Sequence, residues 1–239
     1  MKKALAILAF VVVGAVLAWH VLYPHVVLHY RLTIEVATPE GVRTGSGVLA
    51  AYYRREPELF GARGGVTGTV GEAVAVDLGA RGVLFALLTS RTMQGTPGGY
   101  EPPGMLIMTL APELLEVSPS AQKTRRVGRI TGKAEVPRQY LPFLVRFADL
   151  DDPKSVAAVD PDDLAASFGS GVWLQRATIE IVDDPVTRGI ENRLRWLSMP
   201  WEEQRKLLKG PRWDSSDPSY QYGLRLILRY FRQGHQSHG

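Results

Sequence analysis

The sequence predicts an α+β fold: one β-rich, mainly antiparallel domain with a few short helices, preceded by a single transmembrane helix. Three observations predict it. An apolar run of about 20 residues opens the chain, long enough as a helix to cross the hydrocarbon core of a bilayer. Further on, several segments alternate apolar and polar side chains with the period of a strand. Between them lie many of the 24 glycines and 16 prolines, so turns are frequent and helical spacing is confined to a few short stretches.

Residues 1–24 are accordingly read as an anchor or signal segment, 25–234 as an extracytoplasmic β-rich domain, and 235–239 as a disordered tail. Lys2 and Lys3 precede the apolar run and the next basic residue is Arg31. This asymmetry keeps the amino terminus in the cytoplasm and sends the domain across the cytoplasmic membrane. Trp19 and Tyr23 fall where the far interface would be. Val16-Leu17-Ala18 offers a cleavage point, so a cleaved signal is the rival reading; apolar character continuing past it argues for an anchor that meets the bilayer through residues 4–23. No cysteine is present, so the domain has no disulfides and must rely on its own core.

Residues 30–37 place Leu32, Ile34 and Val36 on one face and Arg31, Thr33 and Glu35 on the other, a half-buried strand. Pro39-Glu40-Gly41 turns the chain into a second strand, Val42 to Tyr53. Within it Gly45-Ser46-Gly47 suggests a bulge or a close backbone contact. Gly71 to Leu78 and Val83 to Leu88 are two more strands. The second is continuously apolar and therefore central. Residues 91–104, rich in glycine and proline, are expected as loop. Leu141 to Phe147 is a strand that Pro142 places at an edge or at its start, and Trp173 to Ile181 is another.

Asp160-Pro161-Asp162-Asp163 reads as an N-cap, a first-position proline and two first-turn acids of a short helix ended by Gly169. Ile190, Leu194 and Leu197 are spaced as one helical face. A second helix follows Pro200, with Glu202 and Glu203 early and Gly210-Pro211 as its stop. Residues 220–231 fit strand or helix, with strand preferred.

The five histidines are His20, His25, His29, His235 and His238. The middle of the chain therefore lacks the imidazole or thiolate that a Ser-His-Asp triad, a Cys-His pair or a His-rich zinc site requires. Asp149, Asp151 and Asp152, followed by Asp160, Asp162 and Asp163, offer carboxylate oxygens, but not at the spacing of a calcium loop. Turn and cap roles are the simpler reading. Asp149, Asp152, Asp160, Asp162 and Asp163 are kept as a candidate functional surface. No metal, cofactor or catalytic residue is assigned. Ser120-Ala121-Gln122-Lys123 matches S-x-x-K without its companion motifs, in what reads as loop. Glu72, Asp77, Glu180 and the acids of residues 149–163 are the carboxylates from which a hydrolytic pair could be drawn.

Net charge is +4, but residues 119–146 carry seven basic and one acidic side chain and residues 147–186 two basic and nine acidic ones. The basic run at Lys123, Arg125, Arg126 and Arg129 suits anionic lipid or nucleic acid. Neutralisation by the neighbouring acidic segment is the simpler account, and no aromatic residues interleave with the run as nucleic-acid binding would favour.

Tyr30-Arg31-Leu32-Thr33-Ile34-Glu35-Val36, Gly45-Ser46-Gly47 and Gly71 to Leu78, then Phe147-Ala148-Asp149, Asp152-Pro153-Lys154-Ser155-Val156, Asp160-Pro161-Asp162-Asp163-Leu164 and Phe168-Gly169, continue to Leu194-Arg195-Trp196-Leu197. Residues 30–197 thereby resemble a family of uncharacterised bacterial proteins with one amino-terminal apolar segment. The resemblance implies an architecture and no chemistry. The expectation is a single-pass envelope protein that binds or scaffolds, with an envelope protein as possible partner and no nucleic acid. A carboxylate-pair envelope hydrolase is the alternative. A concave site holding two close carboxylates would favour the latter. A flat face exposing Trp173, Trp196, Trp201 or tyrosines would favour the former.

Overall fold

The structure, a computed structural model, describes residues 2–55, 65–90, 103–114, 117, 120–207 and 231–233. Helix α1, Lys2–Leu22, occupies the opening apolar run. Among the described residues no helix is long and apolar enough to cross a membrane. Within α1 the described side chains are Lys3 and those from Ile7 to Leu22. The structure thus supplies a helix and its exposed apolar surface where a transmembrane helix was expected, and not a full span.

Ten strands follow among the described residues: β1 His25–Thr38, β2 Gly41–Arg55, β3 Gly65–Glu72, β4 Val74–Asp77, β5 Val83–Ser90, β6 Lys133–Glu135, β7 Pro142–Phe147, β8 Val156–Val159, β9 Trp173–Ile181 and β10 Arg232–Gln233. Three short helices join α1: α2 Ala121–Val127, α3 Leu164–Phe168 and α4 Trp201–Leu207. The strands form a six-stranded sheet ordered β10-β3-β2-β1-β9-β6 and a four-stranded sheet ordered β4-β5-β7-β8, with every pairing antiparallel. The expected β-rich antiparallel α+β domain is present.

The long hairpin β1–β2 is its spine. Pro39 and Glu40 form the turn, and His25 to Thr38 pair continuously with Arg54 to Gly41. The alternation read from the sequence places Tyr30, Leu32, Ile34 and Val36 inward, together with Leu49 and Ala51 of β2 and Ala177 and Ile179 of β9. The facing sheet contributes Val74, Val76, Leu84, Ala86, Leu88 and Leu144 to this main core. Each large aliphatic side chain removed from water here contributes about 1.5–3 kcal/mol.

The other face of the four-stranded sheet is buried too. Phe85, Leu87, Phe143, Val145 and Phe147 pack against Ile190, Leu194, Trp196 and Phe231 in a second core. Burial on both faces explains why β5 is continuously apolar and why it lies centrally, between β4 and β7.

Four sequence expectations change. Gly71 to Leu78 is not one strand: β3 ends at Glu72 in the first sheet and β4 begins at Val74 in the second. Gly71, at φ 152°, supplies the bend, with its Cα side pressed on Leu49. The N-cap of α3 is Asp163, three residues later than read, because Asp160-Pro161 is used in a preceding turn closed by Asp163 N–H to the Asp160 carbonyl. The helix expected over 190–197 is two 3-10 turns, Ile190–Asn192 and Arg195–Ser198, broken at Leu194 (φ −118°, ψ 77°) so that Ile190, Leu194 and Trp196 all reach the second core. Ser120 to Lys123, read as loop, open α2, whose N-cap Ser120 accepts from the Lys123 backbone N–H.

Pro142 opens β7 at its pairing with Ser90, so it takes the early position; β7 itself is interior, between β5 and β8. The expected loop lies outside the described residues except Pro103 and Gly104, which begin a 3-10 segment, Pro103–Leu110. The segment 220–231 lies outside them except Phe231, as does the expected stop at Gly210-Pro211.

Candidate functional site

The five candidate aspartates sit on two loops and are engaged locally. Asp149 Oδ1 accepts the Asp151 N–H at 2.9 Å, Asp152 Oδ1 the Lys154 N–H at 2.9 Å, and Asp160 Oδ1 the Asp162 N–H at 3.0 Å. Asp163 caps α3 through the Ala166 N–H at 3.1 Å, and Asp162 is ion-paired with Arg138. These are the roles short acids take in turns and caps, where the side chain stands in for a missing backbone acceptor. Among the described residues no group of three or more His, Cys, Asp or Glu side chains is placed to hold a metal ion.

The carboxylates considered for hydrolysis are separated. Glu180 on β9 pairs with Lys133 at 3.7 Å. Asp77, at the end of β4, accepts the Gly79 N–H and faces Arg193 at 3.2 Å; both hold its carboxyl below the usual range, the backbone bond most. Glu72 is almost fully buried. Its Oε2 accepts the Ile190 N–H at 2.9 Å, and its Oε1 lies 3.2 Å from Arg232 Nε. Arg232 also donates through Nη2 to Glu191 at 2.5 Å. This acid–base–acid chain ties the sheet switch at Glu72 to the 190 turn and to β10. It closes the second core, and sequence spacing gave no sign of it because residues 72, 191 and 232 are distant along the chain.

Ser120 and Lys123 do not form a serine–lysine couple. The serine hydroxyl caps α2, and the lysine Nζ donates to the Val117 carbonyl at 2.7 Å, where burial lowers its pKa. Of the tryptophans, Trp173 is exposed (57 %), as is Val42, the two flanking β1 in register with Ala37, whereas Trp196 is buried and donates its indole N–H to the Leu150 carbonyl. The side chain of Trp201 lies outside the described residues.

The two ends of the hairpin differ chemically. At the far end Arg81 binds both Glu40 oxygens and the Phe168 carbonyl, joining three turns; the guanidinium holds the Glu40 carboxyl down to about 2. At the near end α1 leads into β1. Trp19 and Tyr23 meet at its end with ring centroids 4.6 Å apart and planes tilted at 48°, and Arg125 of α2 donates to the Val21 carbonyl at 2.7 Å.

Helix α2 exists because Ala121, Thr124 and Val127, spaced by three, are buried beneath it while Arg125 and Arg126 point outward. That spacing, behind a serine cap, is the signal by which the sequence would have revealed the helix. Lys133 and Arg138 are neutralised by Glu180 and Asp162, as the charge bookkeeping suggested. Among the described residues no acid pairs with Arg125 or Arg129, and Arg126 meets Glu113 only at 3.9 Å.

Comparison with protein-family models, with curated proteins and with solved structures finds no match.

Proposed function

We propose that this chain is a single-pass protein of the cytoplasmic membrane, with its amino terminus in the cytoplasm and its β-rich domain outside. In this reading the domain works by binding or scaffolding in the envelope, and the chain belongs with the bacterial family its sequence resembles. The observation that carries the proposal is the surface of α1. Phe10 is 82 % exposed, and Ile7, Leu8, Val11, Val12, Val13, Val16, Leu17, Trp19, Val21 and Leu22 are all at least half exposed. These positions cover every side of a helix, so no rotation of α1 would hide them from water. At 1.5 Å per residue a helix of this length reaches about 30 Å, the thickness of a bilayer core.

Lys2 and Lys3 at one end and the Trp19–Tyr23 pair at the other match the charges and aromatics expected at the two interfaces. The exposed Trp173 and Val42 at the opposite end of the hairpin support a contact surface held away from the membrane.

The test is topology. With a carboxy-terminal tag on the full chain, the protein is expected to stay with membranes through alkaline extraction and to lose its tag to protease once the outer layers are opened. Release by alkali would overturn the anchor; tag protection across intact membranes would overturn the orientation.

A further inference from the structure

We propose that the face of the domain beside α1 is an anionic-headgroup site, in which Arg126 and Arg129 bind the phosphates of acidic phospholipids. The proposal rests on the anchor reading, which fixes the depth of α1 in the bilayer. In that reading the Trp19–Tyr23 pair marks the interface. Arg125 reaches the Val21 carbonyl, within the same turn, and so α2 is held at headgroup level by a bond to the anchor itself. The pairing also suits the partial negative charge at the carboxy-terminal end of α1.

Helix α2 is seated on the membrane-proximal end of the hairpin, since Gly128 lies against Val26 near the start of β1. Next to it opens a cleft of about 250 Å³ lined by Leu110, Ala111, Glu113, Arg126, Arg129 and Ile130, among others. Two arginines therefore line one recess. Glu113 stands 3.9 Å from Arg126, too far for a close pair, and Arg129 has no acid partner among the described residues. A guanidinium presents planar forked donors that match phosphate oxygens, and an arginine near an anionic surface gains more than one in open water. Leu114 and Ile130 beneath the recess are buried in the main core, so the surface it presents is chiefly polar. Its place beside the last turn of α1, where the anchor reading puts lipid headgroups, favours a phospholipid phosphate over a soluble anion.

The experiment uses the full chain in vesicles of phosphatidylcholine with or without about a third phosphatidylglycerol, a typical acidic lipid. Lipid carried on mild detergent extraction is read by native mass spectrometry, and hydrogen exchange is followed over residues 121–131. Phosphatidylglycerol is expected to be enriched on the wild type. Its preference should fall about fivefold for each charge removed in Arg126→Gln and Arg129→Gln, and should weaken as salt rises.

Both side chains are exposed, and an unchanged melting temperature in detergent checks the fold. Were a variant to misfold, the wild-type enrichment and its exchange protection in acidic vesicles alone would decide. No enrichment, or enrichment unaltered in the folded double variant, overturns the proposal while leaving the anchor standing. Equal protection by free glycerol phosphate would also overturn it, in favour of a soluble anion. Extraction of the protein by alkali would remove the anchor and this inference together.

Discussion

Gly45 of β2 faces Ala75 of β4 so closely that a Cβ on the glycine would lie 2.2 Å from the Ala75 carbonyl oxygen. This is the crossing point of the two sheets. With Gly47, where a Cβ would lie 3.2 Å from the Val74 side chain, it lets β4 lie directly on β2 over the main core. Gly45→Ala must push the sheets apart against backbone, not a movable side chain. A loss of about 2–3 kcal/mol is expected from chemical denaturation of the full-length protein in detergent. An unchanged midpoint would mean the sheets can separate freely at this point.

Glu72 and Arg232 should behave as a clasp. Glu72→Ala leaves Arg232 with Glu191 as its remaining acid and the buried Ile190 N–H without its acceptor, and about 2 kcal/mol of destabilisation is expected. Phe231→Ala, which empties the centre of the Phe85, Phe147 and Trp196 cluster, should cost about 3–5 kcal/mol. Near-additive losses in the double variant would show instead that the ion pair and the aromatic cluster act independently.

Acid should loosen the far end of the hairpin. Because Arg81 lowers the Glu40 carboxyl from 4.5 to about 2, the pair's contribution is complete above 4.5 and is lost as pH falls through about 2. Asp77 shifts in the same direction. Melting temperatures followed from neutral pH down to 2 should fall less steeply in Arg81→Gln than in the wild type over this window. Because both groups are exposed to solvent, high salt should shrink the difference. Parallel curves at low salt would count against the pair.

Asp163→Ala should remove the cap of α3 and cost about 1 kcal/mol. Asp160→Ala tests the preceding turn in the same way. If both variants unfold like the wild type in denaturant, the aspartates are not held by the turns described.

The sequence by itself determined the local layers of this protein. The alternation of Leu32, Ile34 and Val36 set a strand with one buried face, the apolar continuity of Val83 to Leu88 set a central strand, and the apolar run that ends at Leu22 set a helix, because these patterns lie in neighbouring residues. Only the tertiary structure decided what brings distant residues together. Glu72 meets Arg232 and Glu191, Arg125 meets Val21, and Gly71 to Leu78 divides between two sheets. Ile190 to Leu197 bends out of a helix to fill the second core. The five aspartates could be seen as acids in a row, but whether they converged or capped separate turns depended on backbone directions. Short-range periodicity reports which face of an element is apolar; which faces and ends then touch is fixed by close packing over the whole fold, and no local pattern contains it.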